Sequence, residues 1–185
     1  MGRFLLGGFV GGLVIFAWSA VAHLVLPLGQ EGFVHLPDDA RARGALQGGF
    51  AESGMYLLPQ FPADGSKEEK SAWESRWRSG PTALVVYRRD GAKPPIPDSL
   101  VMLLGSSLVA AFIIAIVLVR CDAPYLGRVL IVALLGTFAW LTVDVSYWVR
   151  FRFPDDYVIA RAIDLGGGWL LTGLVMARVV ESSHA

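Results

Sequence analysis

FAWLTVDVSYW, residues 138–148, places an aspartate, Asp144, inside an apolar run long enough to cross a bilayer. About 20 predominantly apolar residues span the hydrocarbon core. A carboxylate within such a run is costly unless protein or water surrounds it. The stretch therefore reads as a membrane helix with Asp144 turned toward other helices, and that reading sets the class of the whole chain.

Composition points the same way. Of the 185 residues, 54% are hydrophobic, and they fall in blocks, which is not the composition of a soluble domain. Residues 129–149 form the block that contains Asp144; 99–119 and 157–180 flank it through short connectors, so these three helices should pack as antiparallel neighbours. A fourth block, residues 4–27, lies near the start. The expected architecture is an α-helical integral membrane protein, a four-helix transmembrane bundle with a small α/β extramembrane insert, residues 28–98, between helices 1 and 2.

The insert has legible punctuation. Asp38 and Asp39 are placed to cap a helix running to about Phe50, and Met55 to Leu58 is a short apolar run between Gly54 and Pro59 that suits a strand. Ser66 and Glu69 match a capping box for a helix to Arg78, which Gly80-Pro81 stops. Thr82 to Tyr87 is β-branched and aromatic, a second strand. Trp73 and Trp77, four apart, share a helix face that should dock on the sheet or on lipid headgroups. The proline-rich segment 93–97 reads as a stiff extended lead back to the membrane.

With the spans placed, their polar residues fall at one level. Counting 1.5 Å per residue, His23, Asp144, Arg161 and Asp164 all lie in the third of the bilayer next to the insert's attachment points. Arg161 and Asp164 share a helix face, as do Trp140, Asp144 and Tyr147. A guanidinium between two carboxylates, with Tyr147 and His23 as hydrogen-bonding neighbours, leaves no charge alone. This intramembrane polar layer has two readings: a structural clasp that holds the bundle in register, or a ligand or proton site.

Glycines form a second pattern. Gly7, Gly8, Gly11 and Gly12 make two overlapping GxxxG spacings, suited to close helix packing within the monomer or in a homo-oligomer. Gly166, Gly167 and Gly168 suit close packing or a local unwinding of the last helix.

Several function classes drop out. Sixteen basic and sixteen acidic side chains give zero formal net charge, so no field favours nucleic acid. Cys121 is the only cysteine, which excludes an intrachain disulfide or a CxxC centre. No GxSxG, HExxH, P-loop or strand-linked GxGxxG occurs, and no catalytic residue, metal or cofactor is expected. A metal or haem site at His23 and His35 is a minor alternative without a supporting ligand spacing, and His184 stands at the far end of the chain. Ala20-Val21-Ala22 also fits a signal-peptide cleavage site, which would leave His23 as an amino terminus able to chelate copper.

The WSAVAHLVLPLG run at 18–29, GMYLLP at 54–59 and GPTALVVY at 80–87 resemble a group of small bacterial four-span inner-membrane proteins. The resemblance implies one helix, an outer insert and three helices in the bacterial inner membrane, and it implies no activity. The loop charges weakly favour cytoplasmic termini and an insert on the outer, periplasmic side. The leading expectation is a non-enzymatic accessory or interaction protein, with the bilayer and a membrane-protein partner or second copy as its contacts. The alternative is a small-ligand or proton pathway centred on Asp144, Arg161 and Asp164.

Overall fold

In a computed structural model, which describes residues 2–92 and 98–180, four helices are long and apolar enough to cross a membrane. They are α1 (Gly2–Leu24), α4 (Asp98–Arg120), α5 (Tyr125–Phe151) and α6 (Asp155–Val179). Between α1 and α4 the chain forms α2 (Asp39–Gly49), β1 (Gly54–Leu58), α3 (Lys67–Ser79) and β2 (Ala83–Tyr87). The protein is a multi-pass helical membrane protein with a small two-stranded insert between its first two spans. Chain contacts divide it into two compact units, Met1–Phe33 with Pro95–Ala185, and Val34–Pro94.

In the bundle, α1 packs along both α4 and α6, and α5 packs along α6; α4 lies against α1 rather than along α5, contrary to what its short connector to α5 predicts. At the end that holds the termini, Ala111, Ile114, Ala115 and Leu118 of α4 meet Val132 of α5, Met176 of α6 and Val180 in one buried cluster. The glycines of α1 make this convergence possible. A Cβ on Gly7 would run into Val180, on Gly8 into Phe112 and on Gly11 into Met176. On Gly12 it would lie 2.8 Å from the Leu108 Cα. Both GxxxG grooves are thus filled from within the monomer, which is how glycine stripes let membrane helices approach closely.

The first helix stops short of the expected 4–27 span. Leu24 is its last residue, and the chain turns back: the Val25 and Leu26 amides both donate to the Val21 carbonyl, and that of Leu28 to Ala22. Pro27 explains this, because a proline disfavours helical geometry in the residue before it. Helix α1 is continuous across the Ala20-Val21-Ala22 motif, and Ala22 is fully buried. The motif therefore lies inside a packed element of the bundle.

Helix α6 runs unbroken through Gly166–Gly168. Gly167 and Gly168 lie against Trp18, and Gly168 also against Ile15. Gly166 differs: a Cβ there would meet nothing within 4 Å, so it is not a packing glycine.

The insert folds around local signals. Asp38 caps α2 by accepting from the Arg41 amide. Ser66 and Glu69 form the reciprocal capping box of α3, satisfying two otherwise orphaned donors. Strands β1 and β2 pair antiparallel with Gly54 opposite Tyr87 and Leu58 opposite Ala83. Phe50, just past α2, packs on Tyr56 and Tyr87, both on one sheet face. The tryptophan face of α3 packs on the chain following β1: the Trp73 indole donates to the Pro59 carbonyl at 3.0 Å, Phe61 meets Trp73 edge-on, and Trp77 lies beside Trp73. Among the described residues of 34–92, none is fully buried. The 93–97 lead lies outside the described residues.

Candidate functional site in the bundle

At the other end of the bundle, where α1 ends and α4 begins, α5 and α6 bring three charged side chains together. The Arg161 Nε donates to Asp144 Oδ1 at 3.1 Å, and its Nη1 donates to Asp164 Oδ2 at 2.6 Å. Asp144 and Asp164 are only 3% and 7% exposed. The Arg161 side chain is 27% exposed. Each residue has a local reason to be there. Arg161 and Asp164 are three apart on α6, one turn along one face. Asp144 on α5 reaches the same guanidinium because α5 and α6 are antiparallel neighbours across the short 152–154 connection. Trp140, one turn before Asp144, reinforces that seam by donating from its indole to the Val158 carbonyl at 3.0 Å.

Two acceptors and one cation do not balance. If both carboxylates are ionised, the triad carries a formal charge of −1. The other Asp144 oxygen, Oδ2, is buried and has no hydrogen-bond partner among the described residues. Buried acceptors without partners are uncommon, because each forfeits the hydrogen bond it would have made in water.

Helix α1 closes the site from a third side. The Trp18 indole donates to the Asp164 main-chain carbonyl at 2.9 Å, pinning α1 to α6 at the level of the triad. Beyond this point α1 carries Ser19 and His23, and α4 contributes Ser99, Ser106 and Ser107. A half-open cavity of about 690 Å³ lies among α1, α4 and α6, walled by these residues with Arg161, Asp164 and a larger apolar area. That volume falls within the roughly 300–1,000 Å³ typical of small-molecule sites. Trp169 links the two ends of the bundle: it packs against the buried cluster and also lines the cavity.

The sequence-derived layer is not a single network. His23 is exposed; its Nδ1 pairs with the Ser19 carbonyl at 2.9 Å, one turn back on its own helix. It shares the cavity wall with Arg161 without bonding to it. Tyr147 leaves the layer. It is 44% exposed, and its ring packs on Phe151 and Phe153. Three residues along a helix is about 60° short of a full turn, so Tyr147 points to one side of Asp144 and finds aromatic neighbours. His23 belongs to the bundle unit and His35 to the insert unit, and His184 lies outside the described residues. Among the described residues, no three His, Cys, Asp or Glu side chains are grouped to hold a metal.

Trp18 and the α4 serines are the site residues that sequence reading missed. A signal existed. Ser99, Leu103, Ser106, Ser107 and Ala110 follow one helical face at i, i+4, i+7, i+8 and i+11, and an indole N–H inside a span requires an acceptor.

Comparison of the chain with protein-family models, curated proteins and solved structures returns no match.

Proposed function

We propose that this protein is a non-enzymatic membrane protein that binds a small amphiphilic ligand inside its bundle. The cavity beside the Arg161 triad carries this reading. Its wall is mostly apolar, with His23, Ser99, Arg161 and Asp164 near the helix ends and Ser106 and Ser107 deeper beside Ile15, Phe16 and Trp169, which suits an amphiphile. Pockets that combine an apolar wall with a few convergent polar groups are the usual form of a ligand site. Intramembrane ionisable residues commonly mark such sites. We place the chain in a bacterial inner membrane with cytoplasmic termini and a periplasmic insert, so that the polar end of the cavity faces the outer leaflet.

The test is a cavity-filling substitution with a matched control. Ala110→Trp on the cavity wall should remove ligand that co-purifies with the protein, as read by native mass spectrometry. Val109→Trp, at a position 61% exposed on the bundle surface, should retain it. Equal ligand content in the two variants would refute the proposal.

A second reading rests on the insert. It buries no described residue, and Met55 and Val86, paired across the sheet, are 67% and 68% exposed. This supports an accessory role in which that face contacts a partner subunit. If so, Met55→Glu with Val86→Glu should abolish co-purification of a stoichiometric partner while leaving the bundle intact; an unchanged complex would count against it.

A further inference from the structure

Within the proposed ligand site, and resting on that proposal, the geometry points to a ligand whose head is a cationic amine, seated on Asp164 while Arg161 transfers to Asp144.

The charge count sets the sign. Two carboxylates share one guanidinium, so with both ionised the triad has an excess negative charge to offer and no excess positive one. In a medium of low dielectric that difference is felt more strongly than in water. An anionic head would meet two carboxylates around the guanidinium it sought, whereas an ammonium would complete a neutral set of two anions and two cations.

The arrangement of acceptors supplies the path. Asp164 lines the cavity and Asp144 does not. In the structure Arg161 is split between them, one nitrogen on each, which leaves the buried Oδ2 of Asp144 without a partner. A guanidinium satisfies a carboxylate best through two parallel N–H donors. Arg161 can therefore close both oxygens of Asp144 in that fork, and the move frees Asp164 Oδ2 for a donor arriving from the cavity. The exchange keeps every charge compensated: Arg161 with Asp144, the incoming ammonium with Asp164. It also satisfies the buried Asp144 oxygen that has no partner among the described residues.

The rest of the wall fits the same head. Trp18, at the level of Asp164, lines the cavity, and tryptophan faces attract ammonium groups. The Ser99 hydroxyl, on the cavity wall near the same helix ends, is a further acceptor for ammonium hydrogens. The Trp18 bond to the Asp164 main chain holds the receiving carboxylate in place while its side-chain partner changes.

The experiment compares three probes of one chain length, dodecylammonium, dodecanol and dodecyl sulfate, binding to the full-length protein in phosphatidylcholine nanodiscs by calorimetry. The ammonium should bind wild type at least about fivefold more tightly than the alcohol, about 1 kcal/mol, and the sulfate more weakly than the alcohol. Asp164→Asn should erase the ammonium preference and spare alcohol binding. Asp144→Asn should reduce it, because Arg161 then has no second carboxylate to accept it. A wild-type preference below fivefold, or a tighter sulfate, overturns the inference even if Asp164→Asn fails to fold. If alcohol and ammonium bind equally and Ala110→Trp blocks both, the cavity is a ligand site but not an amine site. If Ala110→Trp blocks none of them, the underlying ligand proposal fails as well. Competition by phosphatidylethanolamine would identify the amine as a lipid headgroup, and its absence as a soluble amphiphile.

Discussion

Arg161→Met tests how the bundle tolerates its buried charges. The substitution keeps the aliphatic stem and removes the only cation among the described residues bonded to Asp144 and Asp164, which are 3% and 7% exposed. Removing one partner of a buried ion pair costs about 3–5 kcal/mol. Because the Arg161 side chain is 27% exposed, part of its field is already screened, and the lower end of that range, about 3 kcal/mol, is the expected loss. Asp144→Asn should behave differently. It takes the triad from a formal −1 to neutral and leaves the 2.6 Å bond between Arg161 and Asp164 in place. Interhelical polar contacts in membrane proteins average about 0.6 kcal/mol, so a loss on the order of 1 kcal/mol is expected. The double variant should be more stable than Arg161→Met alone, since only Asp164 is then left without a counter-ion. Reversible unfolding in mixed micelles, titrated with a denaturing detergent, reads all three. If Arg161→Met costs no more than Asp144→Asn, the guanidinium is not what holds the carboxylates in the bundle, and the charge argument fails.

Other expectations follow from local geometry. Gly12→Ala should force α1 and α4 apart, because its methyl would lie 2.8 Å from the Leu108 Cα; a loss of about 1–3 kcal/mol is expected, whereas Gly166→Ala, with open space at its Cβ, should be neutral or stabilise by up to about 1 kcal/mol. The same micelle titration measures both, and a reversed order would contradict the packing described. Trp18→Phe should cost about 1 kcal/mol by removing the indole donor that ties α1 to the Asp164 carbonyl, with faster amide exchange in α6 near Asp164 as its local signature. In the insert, a backbone hydrogen bond, and then one from Ser66, hold the Glu68 carboxyl below its usual range. A lowered folded pKa means stabilisation that is present above the unfolded carboxylate value and lost as pH falls through the folded one. Amide-exchange protection of α3 should therefore decline below about pH 4, and Ser66→Ala, which removes the cap, should lower it at every pH.

Much of this architecture was legible because membranes impose length and polarity rules that act on short stretches. Span lengths, the Asp38 cap and the Ser66–Glu69 box all depend on residues within a few positions of one another. The shared depth of Asp144, Arg161 and Asp164 was also countable from the helix rise, and antiparallel neighbours joined by a short connection had to bring them close. Direction around the helix axis was harder. Tyr147 was grouped with Asp144 by an i, i+3 spacing, yet the residual 60° carried its ring to Phe151 and Phe153. The cavity itself was not legible. It lies where α4 is no longer part of the common core, which α4 joins only at the end that holds the termini, where glycines admit it, and no local pattern encodes that difference between its two ends. Trp18 went unnoticed for a related reason: its partner is a main-chain carbonyl 146 positions away, and main-chain acceptors leave no mark in sequence.

Whether the space between α1, α4 and α6 receives a specific molecule can be read in the membrane itself. A photoreactive residue at position 110, on the cavity wall, and another at position 109, on the lipid-facing surface, would report this directly when irradiated in native membranes. A discrete small-molecule adduct from position 110, absent from position 109, is the predicted result. The same mixture of bulk lipids captured from both positions would contradict it.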